Sequence, residues 1–317
     1  MNSFAIVADA TCDLPESLQK QYNIRVIPGH IVLPDKREIQ AVPSWDWCSC
    51  EEFYRNLKRN PTEYTTSPAN VSEFAAVMEE YASRGEAVLV MTISGGISSA
   101  IQFALQARAA VLEKYPQAQI ECVDSRRFGP GFGLMTVHAA LCREQGMNLA
   151  QTCAYLEENK NKFRQAGWHE DLAFVAKKGR ITHAKAFLGT LAGVKPIGEF
   201  DSNGLTTVIG KVKGTRATLE AMLSYVEATA QAPQEQIFFI AHSNRLKMAN
   251  EYKALLEERF HPKAIYIGDI YACCGVNVGP GLVAAYYVGK PISQDLAEER
   301  NLIESFNEGV QKSGKTN

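Results

Sequence analysis

The chain has 317 residues, about twice the usual single-domain size, so one large or two medium domains are expected. Hydrophobic residues make up 46% and charged residues 21%, a balance that supports a closed core and confines disorder to the ends. The net charge is −2 and no dense Lys/Arg block occurs, which excludes the basic footprint of nucleic-acid binding.

The opening MNSFAIVADA lacks a basic segment followed by a long apolar run. No apolar stretch approaches the roughly 18 residues of a membrane span. A cytoplasmic protein without stable membrane insertion is expected. Eight cysteines are scattered without paired CxxC spacing, which reads as reduced thiols, with no metal and no cofactor.

In chain order, Phe4–Ala8 reads as a strand ending at Asp9, followed by a helix through Gln21 with Thr11, Asp13 and Pro15 at its start. Ile24–Ile27 and Ile31–Leu33 read as strands, and Glu51–Leu57 as a short helix ended by Pro61. Ser72–Tyr81 repeats Phe74, Val77, Met78 and Tyr81 on one face. Ala87–Ile93 is the continuous apolar run of a central parallel strand. A helix to Leu112, strand Ile120–Val123 and helices over 130–145 and 149–163 follow, the last capped by Asn148.

The second half is read as a strand at Asp171–Val175 and a helix around Ala184–Leu191. A hairpin of Pro196–Phe200 and Leu205–Val212 turns at Asp201–Gly204. Then come helix 215–230, strand Gln236–Ala241, helix 245–258, strand Ala264–Gly268, an apolar helix Leu282–Val288 and a polar helix from Gln294 to Val310. Alternating strands and helices predict an α/β fold of two domains with mainly parallel sheets, over 1–160 and 161–317.

The loop Thr92–Ser99 follows a buried strand and opens a helix, where open α/β sheets place ligands. Unpaired helix N–H groups and the hydroxyls of Ser94, Ser98 and Ser99 favour an anion. With no lysine in or beside the loop, a single carboxylate fits better than a polyphosphate. Plain helix capping by Ser98 accounts for the same residues about equally well, and so it does for Thr65-Thr66-Ser67 before the next helix. Gly275–Gly281 reads as a tight turn that projects Asn277, and Lys177–Ile181 as a solvated basic turn.

Seven segments resemble, in order, the DegV family of fatty-acid-binding proteins. They are Ile6–Pro15, Thr65–Pro68 with Glu73-Phe74, Ile93–Gln102, Val123–Ser125, Lys177–Ile181, Val194–Ile197 and Gly279–Gly281. The resemblance implies two α/β domains with an acyl chain in a closed tunnel between or within them. It implies that Thr65 or Thr66 and Ser98, helped by backbone amides near Ser99, hold the carboxylate, with Asn277 and Gly279 nearby. It further implies a carrier, not an enzyme, that presents the fatty acid to a fatty acid kinase for acyl phosphate formation and phospholipid synthesis, with Arg180 and Lys213 as partner contacts.

The chain departs from the family pattern at three places. Asn277 stands where the family usually has histidine, Ser98-Ser99-Ala100 where it has Ser-Gly-Thr, and Lys213 where it has arginine. The alternatives are a small-molecule hydrolase that uses Ser98 or Ser94 with one of six histidines, or a lipid-sensing regulatory module. No G-x-S-x-G elbow surrounds either serine, and His138 reads as a core residue.

Overall fold

A computed structural model describes residues 4–170, 172–179, 181–182 and 193–313. The chain divides into two compact units, Met1–Lys160 with Ile270–Val276, and Asn161–Asp269 with Asn277–Asn317. Among the described residues no helix is long and apolar enough to cross a membrane.

The first unit runs β1 (Phe4–Asp9), α1 (Glu16–Gln21), β2 (Ile24–Ile27), β3 (Gly29–Val32), β4 (Glu38–Ala41), α2 (Cys50–Arg59) and β5 (Thr65–Ser67). It continues with α3 (Val71–Ser83), β6 (Ala87–Thr92), α4 (Ala100–Lys114), β7 (Ile120–Asp124), α5 (Gly129–Glu144) and α6 (Leu149–Asn159). Its main sheet, in the order β2-β1-β6-β7, is parallel throughout. Successive residues of a strand point to opposite faces. Accordingly Val7, Val88 and Val90 share one buried layer with Phe74 and Met78 of α3 and Ala104 and Ala107 of α4. A smaller antiparallel sheet has the order β4-β3-β5.

Helix α5 buries 12 of its 16 residues, as a helix apolar all round must. Gly133 permits a close approach there, because a Cβ at that position would lie 2.4 Å from the Cys12 carbonyl oxygen. His138 belongs to this helix, and burial pushes its imidazole down to about 4.

The unfolded chain therefore takes up this proton first as pH falls. Stability from the neutral imidazole is complete above about pH 6.5 and is lost as pH falls toward 4. Replacing His138 by Leu is expected to lessen the loss of stability between pH 7.5 and 4.5 by about 2 kcal/mol. Urea unfolding of both proteins at the two pH values checks this, and equal losses refute it.

The second unit runs β8 (Phe163–His169), α7 (Leu172–Lys178), β9 (Ile181–Thr182), β10 (Val194–Phe200), β11 (Thr206–Lys213) and α8 (Thr215–Thr229). It continues with β12 (Ile237–His242), α9 (Leu246–Phe260), β13 (Ala264–Asp269), α10 (Ala272–Val278), whose residues up to Val276 belong to the first unit, β14 (Leu282–Val288) and α11 (Ala297–Ser313). The sheet order is β13-β12-β14-β8-β10-β11-β9. Here the expectation of mainly parallel sheets gives way to a mixed sheet. Only the β12–β13 and β11–β9 pairings are parallel, and the four between them are antiparallel.

Three elements differ from the sequence reading. Leu282–Val288 is a strand, not a helix, and lies between β8 and β12; a seven-residue run without a polar position has no period to distinguish the two. The strand expected at Asp171–Val175 is displaced by β8, eight residues earlier in its start, while Leu172–Lys178 is helical. Gly275–Gly281 is not one turn, because α10 extends through Val278. The helix expected around Ala184–Leu191 lies outside the described residues.

Strand β8 escaped notice because it carries Arg164 and Gln165, both buried. Arg164 Nε donates to Glu199 at 3.1 Å, and its Nη2 donates to Glu299 at 2.6 Å and to the Tyr225 hydroxyl at 2.9 Å. Glu199 also accepts from the Gln165 and Phe200 amides at 2.7 and 2.8 Å. Burial raises Glu199 above the usual carboxylate range even though Arg164 opposes it. Glu299, from α11, lies below that range: burial is outweighed by hydrogen bonds from Ser293 and the charge of Arg164.

Candidate functional site

The site is built where β1 and β6 end. Asp9, the last residue of β1, accepts from the Thr11 amide at 2.9 Å, from the Thr11 hydroxyl, and from the Ile93 amide at 2.8 Å. Its carboxylate thus ties the loop after β6 to the loop after β1. Burial raises the Asp9 pKa, against the lowering effect of these bonds. On the other side Asp124, the last residue of β7, accepts from Gly95 N at 3.1 Å and Arg126 N at 2.9 Å. A Cβ at Gly95 would lie 2.8 Å from Asp124 Oδ2 and 3.0 Å from Ile101 Cγ2, so a larger residue would have to displace these side chains.

Between these two anchors the loop folds on itself. Ser94 is fully buried. Its amide donates to the Arg127 carbonyl at 2.9 Å and its hydroxyl accepts from Gly96 N at 3.1 Å. That hydroxyl holds the loop and has no exposed face for a nucleophile. Ser98 is partly exposed and its Oγ accepts from Ala100 N at 3.2 Å. With one acceptor site so engaged, the hydroxyl keeps its proton and a second lone pair for another partner. Ser99, the residue before α4, is exposed and makes no side-chain cap.

The small sheet separates the two threonines. Thr66 pairs with Ile31, which is fully buried, whereas Thr65 pairs with Val32 and Ser67 with His30. Alternation therefore puts Thr66 on the interior face and Thr65 on the outer one, in line with partial burial of Thr66 and exposure of Thr65. Helices α3 and α4 pack together against the parallel sheet. Both run back against the strand direction, so both start at the carboxyl end of the sheet. Thr66 and Ser98 thus stand near the starts of adjacent helices at one end of the first unit.

The remaining candidates belong to the second unit. Asn277 lies near the end of α10, partly buried. Gly279 has φ +71°, and a Cβ there would lie 2.4 Å from the Phe174 ring, so packing against α7 is enough to require glycine. Lys213 is the exposed last residue of β11. Arg180 lies outside the described residues. Asp9 and Asp124 were legible only as end-of-strand acids, because nothing in their spacing shows which amides they reach.

Among the described residues, no histidine is hydrogen-bonded to Ser94 or Ser98. His30 faces Glu38 and Glu73, His138 faces Tyr155, and His169 faces the Val278 carbonyl. Nor do the described residues gather three or more His, Cys, Asp or Glu side chains in a way that could hold a metal ion.

Comparison with known proteins gives one consistent result. A family profile described as "uncharacterised protein, DegV family" matches residues 3–290. A DegV domain-containing protein of Clostridium perfringens is 31% identical over 290 residues, 91% of this chain and 98% of that one. Among solved structures, a DegV family protein of Thermus thermophilus, described by its fatty acid binding, superposes with a TM-score of 0.80 at 25% identity, covering 90% of this chain and 99% of its own. DegV of Bacillus subtilis, described as a fatty acid binding protein, gives a TM-score of 0.77 at 25% identity over 92% and 100%.

Proposed function

The chain belongs to the DegV family, and from that premise we propose that it binds one long-chain fatty acid, with the carboxylate held by Ser98, Thr66 and the amides that begin α4. The observation that carries this reading is similarity over 90% and 92% of the chain, at 25% identity, to two proteins described as binding fatty acids. The Ser98 hydroxyl is partly exposed beside a helix start and has a proton to donate, which suits an anionic oxygen.

The energetics make the head group decisive. Burying a sixteen-carbon chain contributes on the order of 12 kcal/mol at roughly 0.8 per methylene, whereas association and ordering cost about 4 to 15 kcal/mol. Hydrogen bonds to a charged group add about 1.5 to 3 kcal/mol each. Two or three of them convert a marginal balance into tight binding.

In this reading the protein is a cytoplasmic carrier without catalysis of its own, and it presents the bound acid to a fatty acid kinase. Lys213, exposed at the end of β11, and Arg180 are the proposed partner contacts. Hydrolysis by Ser98 is not favoured, because a serine nucleophile needs a base within hydrogen-bond reach.

Calorimetric titration with a C16 or C18 fatty acid, roughly the chain length assumed above, tests the proposal alongside turnover of a chromogenic ester. Saturable binding of one acid per chain without ester turnover is the expected result. Ester turnover that disappears in Ser98→Ala, with no fatty acid bound, overturns it.

A further inference from the structure

The small sheet has polar contacts on the face opposite Thr66. His30 of β3 faces two carboxylates: Nδ1 lies 2.8 Å from Glu38 of β4, and Nε2 lies 2.9 Å from Glu73 of α3. The ring is largely buried, with 13% of the side chain exposed. Glu73 is itself fully engaged. Its Oε2 also accepts from Asn70 N at 2.8 Å as half of the capping box of α3, and its Oε1 accepts from Gln40 of β4 at 3.2 Å.

An ionised carboxylate only accepts hydrogen bonds. Each His30 ring nitrogen lies within hydrogen-bond distance of one carboxylate oxygen. His30 therefore ties the middle strand of the sheet to its neighbour β4 and to the first turn of α3. Strand β5 is only three residues long, too short to be held firmly by its own ladder. It enters α3 after Pro68, Ala69 and Asn70, so whatever fixes the start of α3 fixes β5, and with it Thr66 on the inner face.

We infer that His30 is a positioning residue for the fatty-acid head group: clamped between Glu38 and Glu73, it holds the Thr66 strand in its ligand-binding position. The inference rests on the head-group role proposed for Thr66. The groups facing the ring are Glu38 and Gln40 from β4, Glu73 from α3 and Ser67 across the β3–β5 pair. Without the His30 side chain the tie between β3 and its partners fails, and head-group affinity falls.

The test is the affinity of the full chain for one fatty acid in wild type, His30→Ala, His30→Lys, Thr66→Ala and the His30→Ala/Thr66→Ala double variant. His30→Ala is expected to bind about threefold to tenfold more weakly than wild type, the size of a partly exposed ion pair. His30→Lys, which can donate to both acids, is expected to keep wild-type affinity. Because His30 acts through Thr66, the double variant should bind no more weakly than Thr66→Ala.

If Thr66→Ala weakens binding while His30→Ala matches wild type, this inference alone is overturned. Additive losses in the double variant overturn it as well. Unchanged affinity in Thr66→Ala removes the head-group role of Thr66 together with the inference.

Discussion

Ser98→Ala is expected to weaken fatty-acid binding by about tenfold to a hundredfold, the equivalent of one hydrogen bond to a charged group. The substitution removes the donor proton while leaving the loop in place. The loop is anchored elsewhere: Asp9 holds Ile93, Asp124 holds Gly95, and the Ser94 hydroxyl holds Gly96. The Ala100 amide loses its acceptor, a capping loss of about 1 kcal/mol in stability. Calorimetric titration together with thermal unfolding separates the two effects. An affinity unchanged from wild type removes Ser98 from the head-group site.

Arg164→Met is expected to destabilise the second unit by about 3 to 5 kcal/mol, because it leaves Glu199 and Glu299 as buried acids without their cation. The cost arises from the stranded charges, not from the lost contact, so adding Glu199→Gln should recover part of it. Glutamine retains an oxygen for the Gln165 and Phe200 amides that Glu199 now accepts. Denaturant unfolding of the single and double variants provides the comparison. A single variant as stable as wild type would show that the network adds no net stability. Glu299 lies beyond residue 290, where the family match ends, so this network fastens the helix outside that match to strands within it.

Much of the first unit was legible because its strands and helices differ in period. Ala87–Ile93 is an apolar run interrupted only by Thr92, and α3 announces itself by Phe74, Val77, Met78 and Tyr81 on one face. The second unit was harder for a specific reason. Its central strands are either wholly apolar, as in Leu282–Val288, or carry buried charges, as in Phe163–His169 with Arg164. Neither kind shows the alternation that marks a strand with one wet face.

At the candidate site, the sequence identified the hydroxyl-bearing loops but not the residues that hold them. Thr65 and Thr66 are equivalent as letters, and only the register of β5 against Ile31 and Val32 distinguishes them. His30 was one histidine among six until its neighbours on β4 and α3 gave it two carboxylates. Contacts between segments so far apart in the chain leave no local pattern to read.

The central claim is that this chain carries a fatty acid, and native mass spectrometry of the purified protein, followed by organic extraction, addresses it most directly. A mass excess of one fatty acid per chain is the expected result, of roughly fourteen to eighteen carbons, long enough for methylene burial to offset the cost of binding. A protein that is isolated empty and takes up no added fatty acid would contradict it.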